Sequence, residues 1–144
     1  MDIIFDLDGT LANIDHRLHY IKTKPKNWDA FFASVIYDRP NDSIVEVCKD
    51  LARAGNRIII SSGRSDVCEA ATVEWLEEVG ITYDAIYMRP KNLFIDDADL
   101  KRRMLGVIRQ DGFDPVLVFD DRQRVVDMWR SEGLTCCQVA KGDF

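Results

Sequence analysis

Apolar residues 3–5 (Ile3-Ile4-Phe5) form a short run that breaks into two carboxylates, Asp6 and Asp8, followed by Gly9 and Thr10. Helical spacing then appears at Ile44, Val45, Val47, Cys48, Leu51 and Ala52, closed by Gly55. Arg57-Ile58-Ile59-Ile60-Ser61 follows as a buried strand. The same sequence of helix, glycine and apolar run recurs three more times. Val67 to Val79 precede Gly80 and a strand near Ala85–Met88; Leu100 to Ile108 precede Gly112 and Val116–Phe119; Val125 to Trp129 precede Gly133 and Leu134–Val139. Glycine at each stop suits a left-handed helix end, and the alternating periods predict helices alternating with strands.

That alternation predicts an α/β fold: a Rossmann-like three-layer sandwich, with a central parallel sheet and helices on both faces. Ligands in such folds bind beyond the carboxyl ends of the strands. The chemistry-bearing residues fall at those ends: Asp6 and Asp8 after the first run, Ser62, Gly63 and Arg64 after the second, Asp120 and Asp121 after the fourth. Residues 13–42 interrupt the pattern as a long insertion after the first strand. Asn27 is positioned to cap a short helix over Trp28–Ile36, with Trp28, Phe31, Phe32 and Val35 on its apolar face. Insertions of this length in compact domains usually carry function, here as a minimal cap or lid.

With 144 residues, 47% hydrophobic and 31% charged, the chain suits a single globular domain, 1–144. No apolar run approaches the roughly 20 residues that span a bilayer, so no membrane association is expected. Asp6 and Asp8 interrupt the N-terminal apolar stretch, which does not read as a signal peptide, and the expected location is cytoplasmic. Cys48, Cys68, Cys136 and Cys137 lack metal-ligand spacing and are expected to be reduced thiols, mostly buried. The net charge of −6 disfavours broad nucleic-acid binding but allows a local basic site.

Asp6 and Asp8, two apart on an extended backbone, face one side. One can attack an electrophile while the other moves a proton. Four carboxylates (Asp6, Asp8, Asp120, Asp121) cannot crowd together as bare anions. Oxygen-only ligands without histidine suit Mg²⁺, which prefers few carboxylates together with substrate phosphate. Ser62 could donate to a phosphate oxygen, and Lys101 could neutralise both phosphate and nucleophile.

Asp6-Leu7-Asp8-Gly9-Thr10, Ser62 after an apolar strand, Lys101 and Asp120-Asp121 resemble, in order and spacing, the four motifs of haloacid-dehalogenase-type phosphohydrolases. The resemblance implies that Asp6 is the nucleophile forming an aspartyl-phosphate. Asp8 would protonate the leaving oxygen and then activate water. Asp6, Asp120 and the backbone carbonyl of Asp8 would hold Mg²⁺, with Asp121 in support. Aspartate at the second position points to phosphatases.

A closer resemblance covers nearly the whole chain. Asp8-Gly9-Thr10-Leu11-Ala12 with Arg17, Ser62-Gly63-Arg64, Asp120-Asp121-Arg122 with Val125 to Arg130, and Gln138 to Phe144 are similar to the phosphatase domain of phage-type polynucleotide kinase-phosphatases. This implies removal of 3′-phosphates from nucleic-acid ends. Thr10, Arg17, Ser62, Gly63 and Arg64 would bind the substrate phosphate, and Asp97 would support the site beside Lys101. No GxxxxGK[ST] loop occurs, so no kinase domain is expected within these residues. The insertion is longer than the family pattern implies.

The expected substrates are phosphorylated nucleic-acid ends or nucleotides. A phosphatase of mononucleotides or small metabolites would use the same chemistry with a different access surface. His16, Arg17, His19, Lys22, Lys24 and Lys26 beside Trp28, Phe31 and Phe32 suit single-stranded nucleic acid. They equally suit a packed aromatic face with solvated lysines. A response-regulator-like phosphoacceptor is remote, because the third strand ends in Met88-Arg89-Pro90 without an acid. A catalytically dead binding module is disfavoured by the complete motif set. Trp75 and Trp129 read as core.

Overall fold

The computed structural model describes residues 1–144. Five parallel strands form the central sheet: β1 (Asp2–Phe5), β4 (Arg57–Ser65), β5 (Ala85–Arg89), β6 (Pro115–Asp120) and β7 (Thr135–Gln138), in the order β5-β4-β1-β6-β7. A two-stranded antiparallel ribbon, β2 (Ala12–Asn13) and β3 (Arg39–Pro40), closes the base of the insertion. The helices are α1 (His19–Lys22), α2 (Trp28–Ala33), α3 (Asp42–Arg53), α4 (Glu69–Val79), α5 (Asp97–Gln110) and α6 (Gln123–Ser131).

Alternation along the strands feeds two cores. Ile3, Phe5, Ile58 and Ile60 face Val45 and Cys48 of α3 and Trp75 and Leu76 of α4. Ile4, Ile59 and Val118 face Leu100, Met104 and Leu105 of α5 and Val126 and Trp129 of α6. The sandwich is therefore three-layered. All four glycines that stop the helices adopt φ between 86° and 96°. The chain runs outward from β1 through β4 to β5, then crosses back to β6 and β7. The reversal leaves a crevice at the carboxyl end of β1, where such folds bind ligands.

The insertion differs from expectation in its helix. Asn27 caps it as expected, accepting from the Ala30 amide at 3.1 Å. The helix stops at Ala33 rather than Ile36, and a 3-10 turn follows over Val35–Tyr37. The Ser34 hydroxyl donates back to the Ala30 carbonyl at 2.8 Å, a local bond that competes with helix continuation. Phe31 and Val35 are buried, whereas Trp28 is exposed at the edge of an aromatic cluster with Phe31 and Phe32. Cys48, Cys68 and Cys136 are buried free thiols, but Cys137 is exposed. Burial pushes the Cys48 and Cys136 thiols up to about 12. No helix is long and apolar enough to cross a membrane.

Candidate active site

β1 delivers Asp6 to the crevice, where its amide donates to the Phe119 carbonyl of β6 at 3.0 Å. β6 ends on Asp120, and Asp121 follows. Carboxylate oxygens of Asp6, Asp120 and Asp121, all three buried, lie within 4.8 Å of one another. Lys101, one turn into α5, reaches between the strands. Its Nζ donates to Asp6 Oδ1 at 2.8 Å and to Asp120 Oδ2 at 2.9 Å. Trp129 Nε1 donates to the same Asp120 oxygen at 3.1 Å, so this tryptophan is core and also fixes a carboxylate. Asp120 Oδ1 accepts from the Asp121 amide at 2.8 Å.

Three buried carboxylates against one ammonium leave negative charge uncompensated. Burial, and then the neighbouring Asp120, pushes the Asp6 carboxyl well above its ordinary range. Burial also raises the Asp121 carboxyl. The Lys101 ammonium is held more firmly protonated than usual by Asp120 and Asp6, which overcome its burial. A hard divalent cation fits this oxygen-only set, since its charge offsets the excess and its ligands are carboxylates.

The Asp8 side chain does not join that triad. The resemblance implies only the Asp8 backbone carbonyl as a metal ligand, and the Asp8 carboxylate accepts from Arg17 Nη2 at 2.9 Å and Arg64 Nε at 2.8 Å. The reason is a buried charge network that includes a residue the sequence did not reveal. Asp38, at the end of the insertion, accepts from Arg17 Nε at 2.8 Å, Arg17 Nη2 at 2.9 Å and Arg64 Nη2 at 2.8 Å. His16 Nε2 also sits 2.7 Å from Asp38. Two guanidiniums thus balance two carboxylates. Burial raises the Asp8 carboxyl, but Arg64 and Arg17 outweigh it and hold the group below its ordinary range. Arg64 also donates to the Thr72 hydroxyl of α4 at 3.0 Å.

Arg17 Nη1 is a buried donor without a protein acceptor. Buried donors rarely stay unpaired, and the Arg17 guanidinium carbon lies over the Phe31 ring, 4.2 Å from its centroid. The Ser62 hydroxyl accepts from the Arg64 amide at 3.1 Å, which fixes it at the end of β4. Thr10 donates to Asp6 Oδ2 at 3.3 Å, so in the free protein it holds the nucleophile candidate. A side chain at Gly63 would crowd Asp97 Oδ1 at 3.2 Å. Asp97, one turn before Lys101 on α5, binds Arg89 and Arg122. Asp38, Thr72 and Arg89 carried no motif or spacing signal. They meet the site only because β3, α4 and β5 end around it.

A doubly wound parallel sheet with Asp6 and Asp8 after its central strand, Lys101 on a crossover helix and the Asp120-Asp121 pair defines a haloacid-dehalogenase-type phosphatase, a phosphoric monoester hydrolase. Residues 1–144 match the family model of the polynucleotide kinase PNKP phosphatase domain, and the chain belongs to that family. It is 32% identical over 130 residues, 89% of this chain, to a protein of Autographa californica nuclear polyhedrosis virus described as a bifunctional polynucleotide kinase/RNA ligase. The chain spans only 17% of that relative's length. A chain of the Pnkp1/Rnl/Hen1 RNA repair complex superposes with a TM-score of 0.86 at 33% identity, over 99% of this chain and 43% of that one. The class C acid phosphatase of Bacillus anthracis shares the fold, with a TM-score of 0.63 at 24% identity over 83% of this chain and 51% of that one.

Proposed function

We propose that residues 1–144 act as one Mg²⁺-dependent phosphatase domain that removes 3′-phosphates from nucleic-acid ends through an aspartyl-phosphate on Asp6. The observation that carries the chemistry is the Lys101 bridge between Asp6 and Asp120 at the carboxyl end of the central strands. The family match and the two relatives concerned with polynucleotides or RNA repair support nucleic-acid ends, RNA in particular, as substrate. They also favour partnership with kinase and ligase activities. Exposed Trp28, with Lys26 Nζ 5.7 Å from its ring centroid and Lys22 and Lys24 nearby in sequence, supplies a stacking surface flanked by cations.

Asp6, Asp120 and Asp121, with the backbone carbonyl of Asp8, would hold Mg²⁺. When bound, the ion offsets the carboxylate charge and withdraws charge from the phosphoryl oxygens. Asp6 attacks phosphorus; a bond forms from its oxygen to phosphorus as the bond to the 3′-oxygen breaks. Lys101 keeps the attacking carboxylate oriented and offsets charge on the phosphoryl group. The leaving oxygen takes the proton of Asp8. Asp8 takes that proton from solvent on substrate binding: a phosphate that engages Arg17 and Arg64 offsets the cations that otherwise depress the Asp8 carboxyl. Arg17 Nη1 and the Ser62 hydroxyl are the phosphate donors. Water then attacks the phosphoryl group and gives its proton to Asp8, and inorganic phosphate leaves with Asp6 restored.

The test is phosphate release with Mg²⁺ from a 3′-phosphorylated oligonucleotide, the same oligomer 5′-phosphorylated, and free 3′- and 5′-mononucleotides. The 3′-phosphorylated oligomer is expected to be the preferred substrate, and Asp6→Asn to abolish its turnover while the fold survives. Turnover by Asp6→Asn would remove the nucleophile assignment. Preference for a mononucleotide would make the chain a nucleotidase with the insertion as its lid.

A further inference from the structure

Asp121 is pinched between two glycines that belong to distant parts of the chain. On one side, a β-carbon at Gly9 would lie 2.2 Å from Asp121 Oδ2. Gly9 has φ 85°, so a side chain is excluded there by backbone conformation as well as by space. On the other side, a β-carbon at Gly142 would lie 1.9 Å from the Asp121 carbonyl oxygen and 2.6 Å from Arg122 Cα. Gly142 is buried, whereas Lys141, Asp143 and Phe144 around it are exposed. Both neighbours at Gly142 are backbone, which cannot rotate away as a side-chain tip can.

The segment 138–144 is bonded to the acidic loop along its length. The Val139 amide donates to the Asp120 carbonyl at 3.1 Å. Gln138 Nε2, at the end of β7, donates to the Asp121 carbonyl at 3.1 Å and to Gln123 Oε1 at 3.0 Å. The Gln123 amide donates to the Gly142 carbonyl at 2.8 Å. α6 has no side-chain cap, and this carbonyl satisfies one of the amides that a helix start leaves unpaired. Arg122 completes the contact, donating from Nε to the Phe144 carbonyl at 3.1 Å with its guanidinium 5.1 Å from the Phe144 ring centroid.

We propose that residues 138–144 form a strap that fixes the Asp120-Asp121 loop in its metal-binding geometry, with Gly142 as the positioning residue that lets the strap seat against Asp121. The strap carries no ligand and touches no reacting atom. It acts by fixing the backbone from which two carboxylates of the triad project, and supports of this kind typically govern metal affinity by about 10–100-fold. This rests on the reading of Asp6, Asp120 and Asp121 as a metal site.

The experiment is a Mn²⁺ titration followed by electron paramagnetic resonance of the free ion, on the whole chain, for the parent, Gly142→Ala, Gln138→Leu and Lys141→Ala. The affinity of Gly142→Ala should fall by about tenfold or more. Gln138→Leu removes one bond to the Asp121 carbonyl without adding volume at the contact, and should weaken binding by a smaller factor. Lys141→Ala should match the parent. Saturating Mg²⁺ should restore most of the Gly142→Ala turnover, and the titration is read at a temperature where the metal-free variant is folded, because bound metal also offsets general destabilisation. Should Gly142→Ala fail to fold, Gln138→Leu decides the matter by the same titration. Parent-like affinity in Gly142→Ala and Gln138→Leu, with tight binding by the parent, overturns the strap alone. A parent that binds no Mn²⁺ overturns the metal reading and the strap with it.

Discussion

Arg64 and Asp38 lie 26 residues apart in sequence, yet Arg64 Nη2 donates to Asp38 Oδ2 at 2.8 Å with both side chains buried. Asp38 also accepts from Arg17, so one carboxylate of the insertion fixes both guanidiniums that grip Asp8. The insertion is thereby tied to Asp8 after β1 and to Arg64 of β4 by charge as well as by packing.

Removing that carboxylate leaves two buried cations with Asp8 as their only acidic partner. Asp38→Ala should destabilise the fold by about 3–5 kcal/mol, the usual cost of breaking a buried pair from one side. Denaturant unfolding measures this. Because Asp8 loses the partner that holds its arginines, turnover should fall as well, measured on the fraction that remains folded.

Lys101 offsets a carboxylate pair that no other side-chain cation bonds. Lys101→Met should lower the Tm in metal-free buffer, since Asp6 and Asp120 then repel without compensation. Added Mg²⁺ should narrow the gap by supplying positive charge at the same place, while turnover stays low because no ammonium remains on Asp6. Thermal unfolding with and without Mg²⁺, alongside phosphate release, checks both halves.

Trp28, Lys22, Lys24 and Lys26 are exposed, and none of them bonds Asp6, Asp120 or Asp121. If bases stack there, Trp28→Ala loses about 1–3 kcal/mol per base, read as a raised KM for the oligomer. Lys22→Ala/Lys24→Ala/Lys26→Ala should raise the KM for the oligomer, flatten its salt dependence and leave that for a mononucleotide unchanged. Equal effects on both substrates would place the insertion over the reacting phosphate instead.

At the start of the sheet, Asp2 accepts from Arg57 Nε and Nη2, both at 2.7 Å. Arg57, and then the Asp114 amide, hold the Asp2 carboxyl below its ordinary range against the cost of burial. A carboxyl depressed in the folded state stabilises above its unfolded pKa of about 4 and loses that contribution as pH falls through the folded value. Asp2→Asn should therefore melt below the parent at neutral pH, and the two Tm values should converge on acidification below about pH 4. A gap that persists at low pH would mean that packing, not charge, is responsible.

The sequence by itself determined the sheet, the helix stops and the core of the site. Strand runs such as Ile58-Ile59-Ile60 and helix faces such as Leu100, Met104 and Leu105 need only local periodicity to be read, because burial demands it everywhere along an element. Asp6, Asp120 and Asp121 were legible for a related reason: residues at the carboxyl ends of neighbouring parallel strands must meet in one crevice. Tertiary structure alone decided where the Asp8 carboxylate points, the role of Asp38 and the seating of Gly142 against Asp121. Each depends on segments brought together from far apart in the chain: 26 residues for Arg64 and Asp38, and a glycine contact that exists only when β7 lies beside β6. Local pattern records which face a residue presents. It does not record which charge or which backbone atom waits on the other side.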